Sequence, residues 1–293
     1  MRFVIDRIEE NVAVCVADGD RLTLNVKIDR LASLLGREPK RNDIFDGETD
    51  GGQIVKAVPL DYERDAVLEK NKSRLAALFG RTNEKKEKTM REYTIRRYRS
   101  YDEVDWADVP VAPIDIYRWL PEYAPKAGAQ VVMIEGFGFA AHLWCYESKP
   151  MAKRTEFFSD VWCDSCLEFF ASWDNTKTEY TNIEMNSIST SHIGFGPGRY
   201  GRRKVTDFIE KPFTVRSVVR DDKWSVTAFI PFADLEKLYG IDRSIFRSGY
   251  SFRGNFYKCG DETAVEHYGV WNDIELDDAD YHVPEFFGKL TIE

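Results

Sequence analysis

Residues 161 to 170, Val-Trp-Cys-Asp-Ser-Cys-Leu-Glu-Phe-Phe, carry side chains whose types and spacing could do chemistry. Cys163 and Cys166 are three positions apart, as in thioredoxin-type redox motifs and zinc sites. The same pattern fits a β-strand, whose successive side chains point to opposite faces. On a strand the two Cα atoms would lie roughly 10 Å apart, beyond the roughly 7 Å limit for a disulfide. No second Cys-x-x-Cys or His pair completes a metal set, so the sequence favours a strand with buried, reduced thiols and predicts no metal or cofactor.

As a strand, residues 161 to 170 have one polar face. Trp162, Asp164 and Glu168 share one side of the strand, because they are an even number of residues apart. The segment Tyr-Thr-Asn-Ile-Glu-Met-Asn, residues 180 to 186, repeats this layout with Asn182 and Glu184 on one face. The pattern indicates a sheet that buries one face and offers the other to a ligand.

A third strand and a late tryptophan add to this set. Arg253 and Asn255 alternate with apolar and small residues in Ser-Phe-Arg-Gly-Asn-Phe-Tyr, and Trp271 follows in His-Tyr-Gly-Val-Trp. A pyranose ring has apolar faces that lie on indole rings and hydroxyl groups that pair with Asn, Asp, Glu and Arg. These side chains therefore predict a carbohydrate ligand.

The elements that must position these residues fall into two parts. Residues 1 to 80 alternate as short strands broken by turns, which predicts a small β-barrel, and end in a helix predicted between Asp61 and Gly80. Residues 81 to 90 are charged and read as a linker. Residues 91 to 293 show many strand patterns separated by Gly, Pro, Asn and Asp clusters, which predicts an antiparallel β-sandwich. The predicted fold class is mainly β.

Charge and composition limit the possible partners. The net charge of -9 belongs to the second part, because residues 1 to 90 hold 17 basic and 17 acidic side chains. All seven tryptophans lie in that second part too. An acidic, aromatic-rich module predicts no binding to nucleic acid or to an anionic membrane. The N-terminal sequence has no apolar leader and the five cysteines are unevenly spaced, so a cytoplasmic location is expected.

Two family resemblances follow from these motifs. Residues 1 to 80, above all Val-Ile-Asp-Arg-Ile-Glu-Glu-Asn-Val-Ala-Val-Cys-Val, resemble a small bacterial family known as domain of unknown function 3006, which implies no activity. From about Tyr93 to the end, the chain resembles a divergent branch of the family 9 carbohydrate-binding modules. The motifs that carry this resemblance are Val161 to Phe170, Tyr180 to Asn186, Gly254 to Asn272 and His282 to Ile292.

The second resemblance implies a site. Family 9 modules are non-catalytic β-sandwiches in which two tryptophans clamp a terminal sugar. Trp162, six residues before Glu168, matches the first clamp position, and Trp271 matches the second. The family also carries an arginine near the position of Asn182, and this chain has none there.

Three alternatives stay open. Glu168 and Glu184 could be the acid and base of a glycoside hydrolase if their strands are adjacent. The sandwich could instead have lost sugar binding and serve as an interaction module. The glycine-rich segment Gly194 to Arg203 lacks the Lys-Ser/Thr of a phosphate loop and is either a mobile loop or a rim of the ligand site.

Overall fold

A computed structural model describes residues 1–9, 11–17, 22–39, 44–59, 90–211 and 213–293. The chain divides into two compact units, Met1–Glu87 and Lys88–Glu293. Each unit has its own hydrophobic core. No helix among the described residues is long and apolar enough to cross a membrane.

The described residues of the N-terminal unit form a five-stranded antiparallel sheet with one helix. Its elements are β1 (Arg2–Glu9), β2 (Val12–Ala17), β3 (Thr23–Lys27), α1 (Ile28–Leu35), β4 (Ile44–Asp50) and β5 (Gln53–Pro59), with the strand order β3-β2-β1-β4-β5. Alternation along β1 buries Phe3 and Ile5, which pack with Leu31 of α1. The helix ends at Gly36, whose φ of 71° suits a residue without a Cβ. The helix predicted between Asp61 and Gly80 lies outside the described residues.

The C-terminal unit is the predicted sandwich. Its strands are β6 (Glu92–Tyr98), β7 (Ala112–Ile114), β8 (Ala127–Ile134), β9 (Gly138–Cys145), β10 (Cys166–Ser172), β11 (Tyr180–Asn186), β12 (Ser191–Gly196), β13 (Arg203–Lys204), β14 (Thr214–Val219), β15 (Trp224–Pro231), β16 (Ser251–Cys259), β17 (Tyr268–Val270) and β18 (Gly288–Ile292). One helix, α2 (Phe232–Tyr239), follows β15. Short 3₁₀ helices span Tyr101–Glu103, Val161–Cys163, Val205–Asp207, Arg243–Ile245 and Pro284–Phe286.

Two layers form from one continuous ladder of strands. The first layer has the order β13-β12-β11-β10-β16-β18, with β17 beside β16, and the second has β8-β9-β15-β14, with β7 beside β8. Strand β6 joins the layers by pairing in parallel with both β18 and β8. All other strand pairs are antiparallel. Rings from the two layers meet in the core, where Phe139 of β9 packs on Phe252 of β16 and on Trp173.

The mainly β fold class is thus confirmed. Strand β8 is buried on both faces because its outer side is also covered. A segment that includes Trp106 and Val109 packs there against Val132 and Ile134. The outer face of the first layer is also buried at β10 and β11, where residues that include Val161 and Tyr281 pack against it, and the candidate site is a cavity on this side.

Candidate functional site

The floor of the site comes from alternation on paired strands. On β10, Leu167 and Phe169 enter the core between the layers, so Glu168 points to the outer face. Glu184 of β11 lies directly opposite Glu168 in the strand register. Two strands with strict alternation therefore place two carboxyl groups side by side, as the sequence predicted for adjacent strands.

These groups open into a cavity of about 430 Å³. Its polar lining includes Glu168, Asn182, Glu184, Arg202 and Cys259, and its aromatic lining includes Phe158, Trp162, Tyr200 and Tyr268. The volume lies within the range of small-molecule sites, roughly 300 to 1,000 Å³, and the mixed lining is typical of them. The cavity can hold a ligand that has both apolar faces and hydrogen-bonding groups.

A chain of hydrogen bonds fixes the polar side chains. Nε of Arg202 donates to Oδ1 of Asn182 (2.8 Å), and Nδ2 of Asn182 donates to Oε1 of Glu184 (2.7 Å). The guanidinium of Arg202 also lies 4.1 Å over the ring of Tyr180 and donates to the carbonyls of Gly196 and Gly198. The orientation of Glu184 is therefore set by two partners in series.

One carboxylate oxygen at the end of this series of hydrogen bonds has no partner in the described part of the chain. Oε2 of Glu184 is buried and has no hydrogen-bond partner among the described residues. A buried carboxylate oxygen without a partner costs free energy, so this oxygen is available to accept a hydrogen bond from a molecule in the cavity. Burial raises the pKa of Glu184 to about 7.

The neighbouring carboxyl has a different environment. Oε1 of Glu168 accepts a hydrogen bond from Sγ of Cys259 at 2.8 Å. Burial, together with the charge of Glu184, raises the pKa of Glu168 well above its usual range. Both shifts have the same main cause, because burial penalises the charged form of each carboxyl.

An aromatic wall stands at one side. Trp162 is half-buried in the 3₁₀ helix Val161–Cys163, and the ring of His192 meets it edge-on at 5.1 Å. His192 in turn stacks on Phe158 at 3.8 Å. Burial lowers the pKa of His192 to about 4, so the stack is uncharged at neutral pH.

The predicted partner of Trp162 in a clamp is not at the site. Trp271 is only 2% exposed and packs in the core between the layers, against Phe256 and Tyr93. A Cβ at Gly288 would lie 2.4 Å from its ring, which shows how closely the backbone encloses it. The prediction of a Trp162–Trp271 clamp is therefore wrong.

Three further predicted ligand-binding residues have other roles. Asp164 is fully buried and accepts hydrogen bonds from the backbone of Lys153 and Arg154 and from Asn186. Asn255 is satisfied by the backbone of Asn272, from which it accepts one hydrogen bond and to which it donates another. These two residues hold loops in place and do not line the cavity.

Arg253 is likewise engaged elsewhere. Its NH2 group donates to the carbonyls of Glu285 and Phe287, near the start of β18. The four predicted residues that do line the cavity are Trp162, Glu168, Asn182 and Glu184.

Sequence patterns provide only a weak signal for the two arginines of the cavity. The glycine-rich segment contributes Arg199, Tyr200 and Arg202 to the lining of the cavity. It therefore forms a rim of the cavity, which is one of the two interpretations of its sequence. Arg202 reaches Asn182 from this segment, although β11 carries no arginine. Gly194 makes room, since a Cβ there would lie 2.6 Å from Oδ1 of Asn182.

The two cysteines of the Cys-x-x-Cys motif lie on different elements. All five cysteines are among the described residues, and each is free and buried. Cys163 lies in the 3₁₀ helix before β10, so the predicted strand starts later, at Cys166. Cys166 lies opposite Cys259 of β16 and not beside Cys163.

A β-sandwich with an aromatic-walled polar cavity on one outer face defines a ligand-binding module. The model of carbohydrate-binding family 9 matches residues 101–292, and the chain therefore belongs to this family. The match begins after the N-terminal unit, for which the resemblance to domain of unknown function 3006 stays a prediction. None of the curated protein sequences matches the chain.

Solved structures share the fold. A proposed carbohydrate-binding protein from Bacteroides uniformis superimposes with a TM-score of 0.58 and 22% identity, over 70% of this chain and 100% of that one. A family 9 module from Caldicellulosiruptor kristjanssonii in complex with glucose gives a TM-score of 0.50 and 12% identity, over 69% of this chain and 96% of that one. The complex of that organism's module with cellotriose gives the same score and identity, over 69% and 94%.

Proposed function

We propose that the C-terminal sandwich binds a carbohydrate, without catalysis, in the cavity bounded by Trp162, Asn182, Glu184 and Arg202. The observation that carries this proposal is the partnerless Oε2 of Glu184, held at the floor of that cavity by Asn182 and Arg202. A sugar hydroxyl supplies the donor that this oxygen lacks. The family membership and the glucose and cellotriose complexes of the Caldicellulosiruptor module support the same ligand class.

The cavity suits the two kinds of surface on a sugar. The half-buried ring of Trp162 offers an apolar face to ring C–H groups, and Glu184 offers an acceptor to a hydroxyl. Arg202 has one N–H left to donate, because the other four are used by Asn182, Tyr180, Gly196 and Gly198. With one tryptophan and not two at the site, the ring is held by a wall and a polar floor. We expect a dissociation constant on the order of micromolar to millimolar, which corresponds to about -8 to -4 kcal/mol.

A glycan array probed with the full chain tests this proposal, followed by calorimetry on each glycan that binds. We expect binding to a limited set of glycans with one site per chain. The Asn182→Ala chain is the matched variant, because it removes the link between Arg202 and Glu184, and it should lose this binding. An array without hits would contradict the proposal and favour an interaction module that has lost sugar binding.

A second candidate function is hydrolysis of the bound glycan. Glu168 and Glu184 face each other across paired strands, and the pKa of Glu184 is raised to about 7. Glycosidases use a pair of carboxyls, one of which has a raised pKa and acts as the acid. However, both carboxyls rise from the same floor, whereas a hydrolase needs them on opposite sides of the scissile bond. This geometry favours binding over hydrolysis.

Product release from the glycans that bind separates the two functions. Binding without catalysis predicts no released sugar, and it predicts that Glu184→Gln weakens affinity by a few-fold. Release of sugar that Glu184→Gln abolishes, with affinity kept, would show the hydrolase instead.

A further inference from the structure

Three side chains of types that can ligate a metal lie close together beside the cavity floor. Cys166 of β10 and Cys259 of β16 lie directly opposite each other in the strand register, and Glu168 is two residues further along β10. Their two Sγ atoms and a carboxylate oxygen all lie within 4.8 Å of one another. Sγ of Cys259 and Oε1 of Glu168 are only 2.8 Å apart.

We propose that Cys166, Cys259 and Glu168 form a site for a thiophilic divalent cation, of which zinc is the best match. Two sulfurs and one oxygen suit zinc and related borderline-soft ions, whereas calcium and magnesium take oxygen ligands. A tetrahedral zinc ion with ligands at about 2.0 to 2.3 Å places its ligand atoms roughly 3.5 Å apart. The observed separations allow this arrangement after small side-chain rotations.

The cluster is built into rigid parts of the fold. All three residues are at most 2% exposed and lie on paired central strands of the first layer. Tyr257 and Tyr281 stack on each other at 4.0 Å and belong to the same small core as both cysteines. Preorganised ligands of this kind bind a metal without the cost of ordering loops.

A second observation places an unpartnered carboxylate oxygen on the same floor. Glu184, opposite Glu168 on β11, presents its partnerless Oε2 to the same cavity. Cys259 and Glu168 themselves line that cavity, so the fourth position of a bound ion is open to it. A water or a ligand hydroxyl completes the coordination, as in open zinc sites.

Metal binding at this cluster does not depend on carbohydrate binding. The ion is held by protein side chains, so it can be measured with no sugar present. A chain that binds cobalt and no glycan would refute the proposed function alone, and a chain that binds glycan and no cobalt would refute this inference alone.

Titration of the full, reduced chain with cobalt(II) under anaerobic conditions tests the site. We expect one ion per chain, with the sulfur-to-cobalt charge-transfer absorption of thiolate ligation and the strong visible bands of tetrahedral geometry, and displacement of cobalt by zinc. Absence of the charge-transfer absorption would overturn the proposal.

Matched variants locate the ion. Removing a group that only hydrogen-bonds to a metal ligand lowers metal affinity by up to about 100-fold. Removing a ligand should cost at least as much, so Cys259→Ser and Glu168→Gln should each weaken cobalt binding by at least about 100-fold. Cys163→Ala removes a buried thiol outside the cluster and should change the affinity by less than about twofold. Equal affinity in all three variants would overturn the proposal, and Glu168→Gln, which keeps the side-chain shape, decides the matter if Cys259→Ser does not fold.

Discussion

Two carboxyl groups dominate the site at the scale of single residues. Glu168 and Glu184 are nearly excluded from solvent, and each would be costly to bury without a partner. Glu168 obtains a thiol donor from Cys259, and Glu184 obtains one amide donor from Asn182. Glu184 differs in its second oxygen, which has no hydrogen-bond partner among the described residues.

Trp162 and Trp271 should behave differently on substitution. Trp162→Ala should weaken glycan binding by about 2 kcal/mol, or roughly 30-fold, because it removes an aromatic anchor from the cavity. Trp271→Phe should lower the free energy of unfolding by about 1 to 3 kcal/mol and leave the affinity nearly unchanged, because that ring packs in the core. Calorimetry and denaturant unfolding of both variants measure the two effects. A larger affinity loss in Trp271→Phe than in Trp162→Ala would restore the clamp.

Strand alternation explains which of these residues could be predicted from the sequence. Glu168, Asn182 and Glu184 lie on regular strands, so the two-residue period gave their faces correctly. Trp271 follows the three-residue strand β17, where the chain turns and the period no longer holds. Asp164 precedes β10 in an irregular segment, and its hydrogen bonds to distant backbone could not be read from local pattern.

At the scale of elements, the glycine-rich segment Gly194 to Arg203 begins in β12 and adds Arg202 to the polar lining of the cavity. The segment places Arg202 against Asn182. This contact requires a glycine at position 194, because a Cβ there would collide with Asn182. Sequence predicted the loop, but the target of its arginines depends on long-range pairing of β11 and β12. Composition alone does not encode that geometry.

Gly194→Ala tests this dependence. The added Cβ would lie 2.6 Å from Oδ1 of Asn182 and 3.3 Å from Nε of Arg202, so it should break their hydrogen bond. We expect glycan affinity to fall by about 10-fold, which corresponds to about 1.4 kcal/mol. Gly198→Ala is the matched control, since its Cβ would meet no atom within 4 Å and affinity should stay the same. Equal effects of the two substitutions in calorimetry would show that the contact is unimportant.

The segment that covers the second layer provides a pH-dependent contact. Trp106 stacks on His142 of β9 at 4.8 Å, and Nδ1 of His142 lies 2.9 Å from Oγ1 of Thr227. Burial, with a smaller effect of the charge of Lys223, lowers the pKa of His142 to about 4. The neutral ring is the form that fits beneath this segment.

Acid should therefore weaken the fold through His142. His142 binds a proton near pH 6.5 in the unfolded chain and only near pH 4 in the folded chain. The stability that depends on the neutral ring is therefore fully present above about pH 6.5 and is lost as the pH falls towards 4. His142→Gln removes this titration. The difference in free energy of unfolding between wild type and His142→Gln should shift against wild type by on the order of 2 kcal/mol between pH 7.5 and pH 4.5. Denaturant unfolding at both pH values measures it, and a constant difference would show that His142 is not buried as described.

At the scale of the whole molecule, the chain joins two units of different character. The N-terminal unit is small and close to neutral, while the family 9 unit holds the acidic excess and every tryptophan. Composition and turn spacing were sufficient to predict the mainly β class. The parallel joining of the two layers through β6 was not predictable, because it depends on pairing between the two ends of the unit.

The two units should separate on proteolysis. We expect trypsin to cut first between Arg81 and Arg91, where the sequence is charged and lacks apolar anchors, and the fragment from residue 88 or 91 onward to stay folded. Mass spectrometry identifies the cut, and circular dichroism with thermal unfolding shows whether the fragment keeps its transition. Loss of cooperative unfolding in the fragment would show that the units need each other.

The central claim is that carbohydrate binds in the cavity beside Trp162, and the seven indole N–H groups of the chain report on it directly. Nitrogen-15 NMR of the tryptophan side chains, recorded while a glycan from the array is added, follows each indole separately. The account predicts that the Trp162 signal shifts and saturates with the calorimetric dissociation constant, while the signals of Trp271 in the core and Trp144 on β9 barely move. A shift at Trp144 or Trp271 with no change at Trp162 would contradict it.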